Sequence, residues 1–194
     1  MPRAVVLPLY QEDFDGARDK YAIKKAKEVH EKFAGPWIVK SFTEDLNMAS
    51  PVGLWPRGIH LAKTFPELVN AIEDGMKHEK SILVEEFIDG KVASVHSIPL
   101  FRGENIYTFP LGNTFGNFSP EEKEKLVNLA KDLHKHINAK HYLKSDFVLS
   151  SRGKVYLLQI ESMPDLKPDS HFSQVCESVG AKSYHTIEHM LDSA

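Results

Sequence analysis

Lys144, Asp146, Gln159 and Glu161 are the residues of this sequence whose types and spacing best suit chemistry. Tyr142 to Ser150 and Lys154 to Glu161 read as two strands turning near Arg152-Gly153. Side chains alternate along a strand, and directly paired residues share a face. Pairing Ser151 with Lys154 sets Asp146 opposite Gln159 and Lys144 opposite Glu161, so all four share one face. The other face then carries Leu143, Phe147, Leu149, Tyr156, Leu158 and Ile160, a set fit for a core. Two carboxylates and an amide oxygen on a rigid surface suit a hard cation such as magnesium, shared with phosphate oxygens. A lysine beside them can meet negative charge developing on a transferring phosphoryl group. The plainer reading is a solvated face with a cross-strand ion pair. One bulge in either strand would exchange the faces.

The rest of the chain supplies elements to position this hairpin. Ala22, Ala26, Val29 and Phe33 recur at helical spacing and predict a helix from Ala17 to Phe33, stopped by Gly35-Pro36. Trp37 to Lys40 reads as a short buried strand, and Thr64 with Glu67 has the spacing of a capping box opening a helix through Met76. Ser81 to Ile88 and Lys91 to Leu100 read as a hairpin turning at Asp89-Gly90. A strand follows around Ile106 to Phe109, then a loop from Asn113 to Ser119. Ser119-Pro120-Glu121-Glu122 starts a helix with Leu126, Ala130 and Leu133 on its apolar face, and a short helix closes the chain from Tyr184 to Leu191. Hairpins outnumber βαβ units in the second half, which predicts α+β lobes and not one doubly wound sheet.

Composition narrows the function classes. The 194 residues carry a formal net charge of -3 and no basic stripe, against a general nucleic-acid partner. Cys176 is the only cysteine, so no internal disulfide forms. The apolar start from Met1 to Leu9 is short and broken by proline, against a signal peptide or membrane span, and a cytoplasmic location is expected. His134, His136 and His141 sit close in sequence, but His134 and His136 point to different sides of a helix. The histidines read as surface residues.

Five segments in order carry a family resemblance: Pro36-Trp37-Ile38-Val39-Lys40, Ala49-Ser50-Pro51-Val52-Gly53, Ile82 to Gly90, the Lys144–Phe147 and Leu158–Pro164 pair, and Asp169-Ser170-His171-Phe172. In that order they resemble the C-terminal region of D-alanine–D-alanine ligases, members of the ATP-grasp superfamily. The resemblance implies an ATP-grasp fold of two α+β lobes, residues 1–84 and 85–194, gripping ATP, without that family's usual N-terminal domain. It implies that Lys40 touches phosphates, that Ser50 and Gly53 cap them, that Glu85 accepts from the adenine amino group, and that Glu86, Phe87 and Ile88 frame the ring. Asp146, Gln159 and Glu161 would bind magnesium, with Lys144 and Ser170 at the reacting carboxylate.

The activity so implied is an ATP- and Mg2+-dependent carboxylate–amine ligase working through an acyl phosphate, as in peptidoglycan precursor synthesis. The partners are ATP, a small amino-acid-like carboxylate and amine, and a separate N-terminal ligase part. The alternative is a non-catalytic ATP-grasp remnant that binds nucleotide or protein. The chain departs from the family pattern where Val92 replaces an acid that holds ribose, Lys144 an arginine and Asp165 a glycine. The metal strand reads Gln159 then Glu161 where the family has acid then amide.

Overall fold

A computed structural model describes residues 1–8, 16–41, 59–76 and 81–192. Ser50 and Gly53, with the rest of the small-residue loop, lie outside the described residues. The chain divides into two compact units, Pro2–Phe87 and Ile88–Ala194, Met1 falling with the second.

The first unit is a four-stranded sheet in the order β1-β4-β2-β3, formed by β1 (Ala4–Leu7), β2 (Trp37–Ser41), β3 (Ile59–Ala62) and β4 (Ile82–Glu86). Every neighbouring pair is antiparallel. Helices α1 (Arg18–Lys32) and α2 (Phe65–Met76) supply the rest of the core. Tyr21, Ala22, Ala26 and Val29 from α1 and Leu68 and Ile72 from α2 are fully buried with Trp37, Val39, Ile82 and Val84 from the strands. Period-two alternation on β2 and β4 therefore turns Trp37, Val39, Ile82 and Val84 toward the helices and Ile38, Lys40, Leu83 and Glu85 away from them. Thr64 accepts from Glu67 N while the Glu67 side chain takes Lys63 N, the expected start of α2.

The second unit is a five-stranded antiparallel sheet built on β5 (Gly90–Pro99), with β6 (Ile106–Thr108) and β7 (Gly112–Phe115) on one side of it and β8 (Leu143–Ser150) then β9 (Val155–Glu161) on the other. Helix α3 (Pro120–Ile137) packs Leu126 and Ala130 against Ala93, Val95 and Phe147 on one face. It begins with a complete capping box: Ser119 accepts from Glu122 N, and the Glu122 side chain accepts from Ser119 N. Helices α4 (His171–Ser178) and α5 (Ser183–Asp192) close a second cluster of Ile98, Phe109, Tyr142, Phe172, Val175 and Cys176. Among the described residues no helix is long and apolar enough to cross a membrane.

Four sequence expectations change. The loop expected from Asn113 to Ser119 begins as strand β7, Gly112–Phe115. The hairpin turning at Asp89-Gly90 does not form: β4 pairs with β1 and β2, while β5 pairs only in the other sheet. Both flanks of β4 are taken, and the N–H groups of Glu86 and Phe87 are bound by Arg3 and Pro36 carbonyls, so no edge is left for β5. The histidines are not a surface set, since His96 is 1% and His134 2% exposed. His134 instead bonds Ser97 Oγ at 2.8 Å and the Ala139 carbonyl at 3.1 Å, tying down the end of α3. The core face of the β8–β9 hairpin is also different, as follows.

Candidate functional site

The hairpin register sets Lys144 opposite Glu161 and Asp146 opposite Gln159, the pairing expected from sequence. A bulge then intervenes, so that Phe147 pairs with Leu157 and Leu149 with Val155, leaving Leu158 as the extra residue. Leu157 and Val155 thus join Phe147 at α3, the places expected for Leu158 and Tyr156, while Ile160 is 44% exposed. The bulge lies on the turn side of Asp146 and leaves the polar quartet on one face.

Neighbouring strands extend that quartet into two cross-strand rows. Gly112, Ser94, Asp146 and Gln159 form one row; His96, Lys144 and Glu161 form the next. Lys144 Nζ stands 3.2 Å from Asp146 Oδ2 and 3.3 Å from Glu161 Oε1. Burial opposes its charge, but Asp146 and Glu161 outweigh that and hold its pKa above the usual lysine range. Ser94 donates to Asp146 Oδ1 at 2.5 Å, and the Gln159 amide donates to Glu161 Oε1. The carboxylates are therefore held in place by donors from three sides.

Sequence reasoning named the quartet but missed Ser94, His96 and Tyr142. Ser94 and His96 were legible only through the β5–β8 register, which depends on contacts some fifty residues apart in the chain. Tyr142 bonds His96 Nδ1 at 2.6 Å, and His96 Nε2 lies 2.7 Å from His171 Nδ1. Burial first, then the charges of His171 and Lys144, push the His96 pKa down to about 3. Burial likewise lowers His171 and raises Tyr142 well above the usual phenol range.

Ser170 is the N-cap of α4: its hydroxyl accepts from Ser173 N and donates to Ser173 Oγ, each at 3.2 Å. It is 7% exposed. In the first unit, Lys40 and Glu85 form an ion pair at 2.6 Å on the face turned away from the helices. Glu86 accepts from Nε and Nη2 of Arg3 at 2.9 and 2.8 Å, and Phe87 N donates to the Pro36 carbonyl. Ile88 begins the second unit.

Residues 113–192 match the family described as D-ala D-ala ligase C-terminus. The D-alanine–D-alanine ligase of Halalkalibacterium halodurans is 24% identical over 202 residues, covering 88% of this chain and 64% of that protein. That of Geotalea uraniireducens is 21% identical over 205 residues, covering 92% and 66%. The chain thus spans less than two thirds of the length of these relatives. Among solved structures, the D-alanine–D-alanine ligase of Bacillus anthracis complexed with ATP aligns with a TM-score of 0.67 at 16% identity, covering 99% of this chain and 58% of that one. Residues 113–192 thus resemble the C-terminal region of the D-alanine–D-alanine ligases, and the chain shares the fold of those ligases.

Proposed function

We propose that this chain is the nucleotide-binding part of an ATP- and magnesium-dependent carboxylate–amine ligase of the D-alanine–D-alanine type. The observation that carries the reading is Lys144 held within 3.3 Å of both Asp146 and Glu161 on one sheet face. A cation beside two carboxylates suits both a metal and an anionic reacting group. The Bacillus anthracis ligase of the same fold was solved with ATP.

The donor set fits magnesium. Among the described residues no group of three His, Cys, Asp or Glu could cage a metal alone. Magnesium is usually held by one or two carboxylates with phosphate oxygens and water. Asp146 and Glu161 would hold it, with Gln159 adding at most its amide oxygen. When bound, the ion neutralises phosphate charge. Ser94 keeps Asp146 oriented, because one carboxylate oxygen takes its hydroxyl and the other faces Lys144. Lys144 turns from the carboxylates to the negative charge on the acyl phosphate. Ser170 has its hydroxyl committed to the cap, so its role is to fix the start of α4 beside the site.

On the first unit Lys40 would bind phosphate, helped by Ser50 and Gly53. Glu85 would accept from the adenine amino group. The Glu86 side chain is occupied by Arg3, so the Glu86 backbone and Phe87 would frame the ring together with the Ile88 backbone. The amino-acid substrate, the cytoplasmic setting and the need for a separate N-terminal part belong to the same proposal. A second reading, binding without turnover, is favoured by Val92, which lies in the β5 ladder opposite Val148 and offers no acceptor for ribose.

The test is phosphate and dipeptide release with ATP, magnesium and D-alanine, first with the chain alone and then with the N-terminal domain of a related ligase added. Activity that appears on addition supports the reading. Silence in both arms favours the binding module.

A further inference from the structure

Strand β9 is the outer strand of the second sheet, and among the described residues no strand pairs with its outer edge. An open edge presents a row of N–H and C=O groups, which natural sequences blunt with proline or an inward charge. β9 reads Val-Tyr-Leu-Leu-Gln-Ile-Glu, with no proline and no charge before its last residue. Ile160 stands exposed on the face that carries α3. On α3, Lys125 reaches the Gly153 carbonyl in the β8–β9 turn while Lys131 reaches Glu104 before β6, which fixes the side of the helix turned to β9. Leu129, one turn after Lys125, lies on that side and is 40% exposed. The open edge therefore runs beside an apolar shoulder.

The strand is complementary to itself. When a two-fold axis relates two antiparallel strands, each residue meets the one equally far beyond the axis, and both must face the same way. Asp146 and Val148 share a face of the sheet, so their partners Gln159 and Tyr156 share it too. Glu161, opposite Lys144, and Lys154, whose Nζ lies 4.7 Å from the centre of the Tyr156 ring, are on that same face. Val155 and Ile160, opposite Leu149 and Ser145, share the other. The bulge at Leu158 is what lets these odd spacings agree, and an axis between Leu157 and Leu158 matches them all. That axis sets Lys154 against Glu161, Val155 against Ile160 and Tyr156 against Gln159. Unlike charges meet at each end, with a pair of branched apolar side chains next to them, the order that favours cross-strand pairing.

We infer that β9 is a dimerisation edge, occupied by β9 of a second copy of this chain in antiparallel pairing about Leu157 and Leu158. The two sheets join into one across the axis. Ile160 of one copy is covered by Val155 and Leu129 of the other, since Val155 packs on the α3 cluster beside the turn that Lys125 holds. The interface follows from the strand and its neighbours and does not rest on the ligase reading.

Sedimentation velocity on the full chain over a concentration series tests this. The expected species has twice the 22.0 kDa mass of the chain. Ile160→Lys and, separately, Lys154→Glu, which sets two acids against each other, should each weaken the dimer about tenfold. Circular dichroism and thermal melting check that both variants fold. In a Val155→Cys/Ile160→Cys variant, oxidation should give a disulfide-linked dimer, because two residues five apart on one strand stand roughly 15 Å from each other and cannot bridge within a chain. A monomer at every concentration overturns the inference, as does a dimer that neither substitution weakens.

Discussion

Lys40 and Glu85, two residues proposed to meet different parts of a nucleotide, are joined by a 2.6 Å ion pair. Both side chains are largely buried, at 17% and 15% exposure. On the proposed reading, bound ATP replaces this pairing, with phosphate meeting Lys40 and the adenine amino group meeting Glu85. Lys40→Ala should therefore weaken ATP binding by about 1–3 kcal/mol, the range for losing a charge-assisted hydrogen bond. Glu85→Gln, which frees Lys40 but keeps an acceptor, should weaken it less. Equal affinity in wild type and a folded Lys40→Ala protein contradicts the assignment.

The buried histidines set the acid side of stability. His96 titrates at about 3 when folded and near the ordinary 6.5 when unfolded. The unfolded chain takes up a proton that the native one refuses, so stability is full above pH 6.5 and falls as pH drops toward 3. His134 and His171 are depressed in the same direction. His96 adds up to about 1.4 kcal/mol per pH unit within its window. Urea denaturation at pH 7.0, 6.0 and 5.0, above the carboxylate range, should show the decline. His96→Gln should flatten it; an unchanged slope would mean His96 is not neutral in the native state.

Gly112 faces His171 so closely that a side chain there must displace the ring. Gly112→Ala should destabilise the protein by about 1–3 kcal/mol through overpacking. In Gly112→Ala/His171→Ala the clash is gone, and the two changes should cost less together than the sum of each alone. Strict additivity in denaturant midpoints would place His171 elsewhere.

Legibility from sequence followed how locally each feature is encoded. The α3 capping box is written in four consecutive residues and appeared as expected. The Asp146–Gln159 and Lys144–Glu161 pairs needed only a short turn, so their register could be counted. The bulge at Leu158 could not be, because an extra residue leaves no mark on apolar alternation when both candidate faces are hydrophobic. The false hairpin at Asp89-Gly90 shows the converse: turn residues are local, but whether strands on either side pair depends on which edges distant strands already occupy. Ser94, His96 and Tyr142 were hidden for the same reason. Strand β1, a short apolar stretch at the chain start, carries no pattern beyond its hydrophobicity.

The central claim is that Asp146 and Glu161 bind magnesium with ATP, and calorimetric titration of ATP with and without magnesium tests it most directly. Two carboxylates and nucleotide oxygens suffice for the ion, so wild type should bind ATP markedly tighter with magnesium than without it. The folded Asp146→Asn/Glu161→Gln double variant should lose that difference. Full magnesium dependence in the double variant, or no ATP binding by wild type at millimolar nucleotide, would contradict the account.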